Sequence, residues 1–209
     1  MIIYVIFNIF IHIEYIFNMT FTNDAKIPEV LTISPTIFGD ERGYFFESFN
    51  EDLFNRVTGL NFHPVQDNES KSSKGVVRGL HFQRPPYAQA KLVRVVKGSV
   101  FDIAVDIRFG SPTYGQHTGV LLTEDNHKQF FIPRGFAHGF IALEDDTVFQ
   151  YKCDNYYNKD SEGAILYNDE TINIPWQFLL GVESNLIVSE KDKNNKPLSE
   201  LVTPFVYGE

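Results

Sequence analysis

Between residues 65 and 83 the chain crowds Gln66, Asp67, Asn68, Ser70, Arg78, His81 and Gln83 around an otherwise apolar strand. Polar groups gathered in this way are costly unless they face a ligand or one another. His81 is the member best suited to moving a proton, because an imidazole titrates near neutral pH and this one falls on a strand facing the polar cluster. Strict strand alternation would set Arg78 and His81 on opposite faces. Both meet one ligand only if the backbone bulges, and Gly79 is the place for it.

The elements that must carry these residues are mainly β. From Ile27 onward, short β-branched and aromatic runs alternate with turn signals, and the segment Glu51–Thr58 is the last with helical periodicity. The clearest hairpin pairs residues 91–96 with 99–108 and turns at Lys97-Gly98. In it Val100, Asp102, Ala104 and Asp106 alternate with Phe101, Ile103, Val105 and Ile107. Further strands are expected over Val76–Gln83, residues 119–122, Gln129–Ile132, residues 139–143 and Thr147–Cys153, with turns at Pro133-Arg134-Gly135 and Glu144-Asp145-Asp146. Regular spacing without an internal repeat points to a double-sheet jelly roll rather than a propeller. The tail after Trp176, rich in Lys, Asn and Pro, reads as loops with a short helix, placed to fold back over a barrel mouth.

A chain of 209 residues with 43% apolar and 22% charged content suits one compact domain. A net charge of −9 argues against a non-specific nucleic-acid binder, which needs a basic face, although a local basic pocket stays open. The single cysteine, Cys153, offers neither an internal disulfide nor a zinc cluster and reads as a small buried hydrophobe on a strand. Residues 1–19 are rich in Ile, Phe and Tyr, but Asn8, His12 and Glu14 break them before the ~20 apolar residues of a membrane span. The first basic side chain is Lys26, which is too late for a secretory signal. The expectation is therefore a cytoplasmic protein without membrane contact. Residues 1–19 would be a non-native or disordered extension, Met19 the natural start, and residues 20–209 one jelly-roll domain.

Five segments, residues 40–49, 65–83, 131–140, 151–163 and 189–192, match one family in its own order. From about residue 27 to residue 198 the chain resembles the dTDP-4-dehydrorhamnose 3,5-epimerases. The resemblance implies a cupin-type double-sheet jelly roll with short helices and a loop-rich C-terminal tail, forming a homodimer. It further implies epimerisation of dTDP-4-dehydro-6-deoxy-D-glucose at carbons 3 and 5, on the way to dTDP-L-rhamnose, without cofactor or metal.

Inverting a carbon beside a ketone needs a base, a cation or donor for the enolate oxygen, and an acid on the opposite face. The resemblance gives these roles to His81 as base, Lys91 near the ketone and Tyr151 as acid. Asp192, which the residues alone would leave as a solvated loop charge, is aligned with the aspartate that bonds the histidine's other nitrogen. Arg42 and Arg78 suit phosphate oxygens, and Phe45 with Tyr156 or Tyr157 suits the thymine ring. His138 aligns with a second pocket histidine. Glu47, Gln66, Asn68, Ser70, Gln83, Glu162 and Lys191 complete the expected substrate-binding set. His12, His63, His117 and His127 lie outside the matched segments and receive no chemistry, His127 sitting in a surface turn.

Metal-binding cupins carry a His-x-His pair, whereas this strand reads His81-Phe82-Gln83, so no metal is expected. The chain departs from the family pattern at Tyr167, where tryptophan is usual, and at Arg134, where the turn often holds glutamate. Other readings are a single-site 3- or 5-epimerase, a sugar-nucleotide 3,4-ketoisomerase, which typically lacks the string from Arg78 to Gln83, and a cupin that binds a nucleotide sugar without turning it over.

Overall fold

The computed structural model describes residues 19–208. The expected extension over residues 1–18 lies outside the described residues. Met19, which the sequence reading assigns to that extension, instead opens the first strand, buried against Leu31, Ile33 and Phe54.

Two antiparallel sheets make the body. The first runs in the order β1 (Met19–Asn23), β2 (Leu31–Pro35), β10 (Gln129–Ile132), β7 (Lys91–Lys97), β12 (Thr147–Cys153) and β5 (Gln66–Ser72). The second runs β13 (Glu162–Ala164), β6 (Val76–Gln83), β11 (Phe136–Ala142), β8 (Ser99–Asp106) and β9 (His117–Thr123). β14 (Ile187–Val188) lies parallel to β6, and β3 (Phe38–Asp40) with β4 (Gly43–Phe45) forms a separate hairpin. The expected jelly roll is thus present. Its 76–83, 129–132 and 147–153 strands match the sequence reading, while β9 and β11 start earlier than the apolar runs imply.

Alternation along β8 decides the packing. Val100 and Ala104 point between the sheets, where they meet Val93, Phe130, Phe140 and Phe149. Ile103 and Val105 point outward on the second sheet, against Trp176 and Leu198 of the tail. Each large apolar side chain buried in this way stabilises by about 1.5–3 kcal/mol. The outer face of the first sheet is covered by α1 (Glu51–Thr58). Its cap Asn50 accepts the Leu53 N–H, and its Phe54 packs on Leu92 and Phe131.

The chain after β13 covers the outer face of the second sheet, where Val77, Leu80, Phe82 and Ile141 would otherwise face water: Ile165, Ile172, Ile174 and α2 (Trp176–Leu180) pack on them. The tail after Trp176 adds Leu180 and Leu198 to that cover, and between them β14 and α3 (Glu190–Lys193) turn toward β6, where Ile187, Val188, Ser189, Lys191 and Asp192 border a cavity between the sheets. Among the described residues no helix is long and apolar enough to cross a membrane.

The bulge in β6 is where the sequence places it. Across the β6–β11 ladder His138 pairs with His81 and Phe140 with Arg78, so three steps on β6 match two on β11. The extra residue brings Arg78 and His81 to the same face. Gly79 has φ +142°, and a Cβ there would lie 2.6 Å from the Gly139 Cα, so only glycine allows the two strands to approach so closely.

Candidate active site

A cleft opens between β5 and β12 of the first sheet and β6 of the second, and it has two lobes. One, of about 510 Å³, is bounded by Gln66, Asn68, Gln83, Tyr157 and Glu162. The other, of about 480 Å³, is bounded by Ser70, Arg78, His138, Phe149 and Asp192. His81, Lys91, Tyr151 and Lys191 line both lobes.

His81 Nε2 lies 2.6 Å from Asp192 Oδ1, and no protein group among the described residues bonds its Nδ1. Asp192 is buried, while the His81 side chain is 40% exposed. Burial pushes the Asp192 carboxyl up. The hydrogen bond and charge of His81, the Gly79 backbone amide and the Ser189 hydroxyl outweigh it and hold the group below the ordinary carboxylate value. Ser189 also caps α3 by accepting the Asp192 N–H at 3.1 Å, which fixes the aspartate's backbone.

Across the cleft stand Lys91 and Tyr151, with the ammonium 5.8 Å from the phenol ring centroid. Lys91 forms no ion pair among the described residues. Burial pushes its ammonium below the ordinary lysine range, against the opposing pull of Cys153 and Asp102. A partly desolvated cation without a carboxylate partner is suited to an oxygen that gains negative charge. The Tyr151 phenol is pushed up by burial and by Cys153, against Arg78, so it stays protonated at neutral pH and is able to donate. Cys153 is buried as expected, its thiol pushed up to about 11 mainly by burial, which leaves it inert as a nucleophile.

Behind these groups His138 Nε2 sits 2.9 Å and 3.0 Å from the two Asp102 oxygens. Both residues are buried, and burial drives the carboxyl up and the imidazole down, toward their neutral forms, against their mutual attraction.

The other expected binding residues fall in four places. Arg78, Ser70, Asn68, Gln66, Glu162, Lys191 and Tyr157 line the cleft. Arg78 donates to Ser72 Oγ at 3.2 Å, Lys191 pairs with Glu162 at 2.7 Å, and the Ser70 hydroxyl is buried without a partner. Gln83 also lines it, but its amide is spent on backbone groups: Nε2 donates to the Tyr87 and Tyr156 carbonyls and Oε1 accepts the Asn158 N–H. Its amide thus supports a loop as well as lining the cleft. Tyr156 stands exposed beside Tyr157 without lining the cleft. Arg42, Phe45 and Glu47 belong to the β3–β4 hairpin and the strand exit, and they do not line the cleft of this chain. Arg42 pairs with Asp40, and Glu47 accepts from Asn50.

Asp102, Gln89, Lys159 and Asn195 were not singled out by sequence, yet Gln89, Lys159 and Asn195 line the cleft and Asp102 holds His138. For Asp102 the signal is present: it is a carboxylate in the inward register of Val100 and Ala104.

An antiparallel jelly roll whose two sheets face a histidine–aspartate pair toward a lysine and a phenol defines a cupin-type enzyme built for proton transfer. A family model described as dTDP-4-dehydrorhamnose 3,5-epimerase matches residues 24–200. A Shigella flexneri dTDP-4-dehydrorhamnose 3,5-epimerase is 52% identical over 172 residues, 82% of this chain and 92% of that one. The crystal structure of the enzyme of that name from Elizabethkingia anophelis superposes with a TM-score of 0.81 at 49% identity, covering 88% of this chain and 98% of its own. A dTDP-6-deoxy-D-glucose-3,5-epimerase from Legionella pneumophila, in complex with dTDP-4-keto-L-rhamnose, gives a TM-score of 0.82 at 47% identity, covering 88% and 94%. The chain belongs to the dTDP-4-dehydrorhamnose 3,5-epimerase family.

Proposed function

We propose that this chain converts dTDP-4-dehydro-6-deoxy-D-glucose to dTDP-4-dehydro-L-rhamnose, a step of dTDP-L-rhamnose biosynthesis, with His81 as base and Tyr151 as acid. The observation that carries this reading is that His81 projects from the second sheet while Lys91 and Tyr151 project from the first, all lining one cleft. A sugar ring held between the sheets has one face toward each.

His81 removes the proton from carbon 3 or 5, and the C–H electron pair moves into the carbonyl to give an enolate oxygen beside Lys91. Asp192 stabilises the imidazolium formed, in the manner of a buried aspartate behind a histidine base. Tyr151 then returns a proton from the opposite face, and the inverted centre and the ketone re-form. His81 is exposed enough to release its proton to water, and the phenolate recovers one, which resets the site.

Proton NMR of the substrate with the protein in deuterium oxide, followed by reduction to identify the sugar, tests this. Deuterium at both carbons with a rhamnose product is expected, and His81→Ala loses about 10²–10⁴-fold in rate. Exchange at one carbon selects a single-site epimerase. Tight binding with no exchange at either overturns the enzymatic reading.

We further infer a homodimer in which the β3–β4 hairpin completes a partner's site. Its Phe38, Tyr44 and Phe45 are 52%, 62% and 69% exposed, and its Arg42 stays away from the cleft of its own chain. Mixing inactive Arg42→Ala with inactive His81→Ala protein restores activity if Arg42 acts across the dimer, and restores none if it acts within one chain.

A further inference from the structure

Segment 155–158 leaves the sheet after β12 without joining another ladder, so its backbone groups need partners elsewhere. The partners are glutamine side chains. Gln89 Nε2 donates to the Asn155 carbonyl at 2.8 Å, and Gln83 Nε2 donates to the Tyr156 carbonyl at 3.1 Å. Gln66 Oε1 accepts the Tyr157 N–H at 2.8 Å, and Gln83 Oε1 accepts the Asn158 N–H at 2.7 Å. Gln66 belongs to the first sheet and Gln83 to the second, so two successive amides are gripped from opposite walls of the cleft.

Because the grip is on the main chain, neither aromatic ring between these bonds is used to hold the loop, although the Tyr157 hydroxyl lies beside Glu162. Tyr156 is 62% and Tyr157 53% exposed, although large aromatic side chains ordinarily bury when they can. Gln83 is 6% exposed and has no donor left for a ligand. It occupies the position where metal-binding cupins place their second histidine.

We propose that Gln83, assisted by Gln66, is a positioning residue that fixes the 155–158 backbone as a preformed stacking platform for the nucleotide base. The inference rests on the nucleotide-sugar reading above. Holding the loop before the ligand arrives removes an ordering cost that binding would otherwise meet. The clamp therefore acts on nucleotide affinity and leaves the proton-transfer groups alone.

The test is a double-mutant cycle read by calorimetric titration with dTDP, using Gln83→Met and Tyr157→Ala singly and together. Each single change is expected to weaken dTDP binding about tenfold or more, in line with loss of one aromatic stacking contact. The double variant is expected to lie within about threefold of the weaker single one, because both remove the same contact. In turnover, KM for the sugar nucleotide rises about tenfold in Gln83→Met while kcat falls less than threefold. Should Gln83→Met not fold, Gln66→Met, which removes the grip on the same loop from the other sheet, is expected to show the same non-additivity. Additive losses, or unchanged dTDP affinity in a folded Gln83→Met, overturn the clamp alone. A wild-type protein that does not bind dTDP overturns the nucleotide-sugar reading and the platform with it.

Discussion

Replacing Asp192 by asparagine keeps the shape of the side chain at His81 and removes its charge. During turnover His81 becomes an imidazolium 2.6 Å from the carboxylate oxygen, so the change is felt in the transition state. Two unit charges about 4 Å apart attract by ~4 kcal/mol at an effective dielectric of ~20. The His81 side chain is 40% exposed, so water screens roughly half of that. The remainder, about 2 kcal/mol, corresponds to a rate loss of about 30-fold. The assay is the initial rate of deuterium incorporation at carbons 3 and 5 under saturating substrate, with dTDP affinity measured in parallel. A loss of less than threefold, or one confined to KM, would refute the assignment of Asp192 to the imidazolium.

Tyr151→Phe removes the returning proton but leaves the base, so deuterium exchange at the carbons persists while formation of the inverted product falls at least tenfold, measured by NMR on one sample. In Gly79→Ala a Cβ placed 2.6 Å from the Gly139 Cα forces the bulge open. Thermal unfolding should show a loss of about 2–4 kcal/mol, with activity lost beside it. Asp106 accepts hydrogen bonds from Arg108, Ser111 and Thr113, which outweigh burial and hold its carboxyl below the ordinary 3.8. Its contribution is therefore fully present above pH 3.8 and is lost as pH falls through the lower folded value. Acid titration should show the stability gap between wild type and Asp106→Asn closing in that window; a gap constant with pH would count against the ion pair.

Much of the site was legible where local chemistry is strong. The Lys97-Gly98 turn, the inward and outward sets of β8 and the bulge at Gly79 follow from residue types and period alone. β5 was not, because its inward residues Gln66, Asn68, Ser70 and Ser72 are polar and give no apolar alternation; the first three face a cleft rather than a core, and Ser72 accepts from Arg78. The partnership of Asp192 with His81 was equally hidden in the local sequence, since a charged residue beside Lys191 and Lys193 reads as solvated until α3 is seen to dock. Resemblance supplied it, and burial explains it. Gln83 has a second role that its motif did not reveal: besides lining the cleft, it bonds the backbone of a loop that lies about 73 residues further along the chain.

The bond between His81 and Asp192 spans 111 residues, and α3 follows every strand of both sheets in the chain. During synthesis, therefore, the sandwich can close and the base, lysine and phenol can assemble while the aspartate has yet to emerge. Ile172, Ile174 and Trp176, which precede α3 in the chain, pack on the outer face of the second sheet and set where α3 begins its approach to the base. Full turnover thus reports on the seating of the last segment as well as on the barrel, and a nick between α2 and α3 separates the two. Such a nick leaves the strands from β1 to β13 intact while loosening the carboxylate behind the base, together with the Lys191 and Asn195 wall of the cleft.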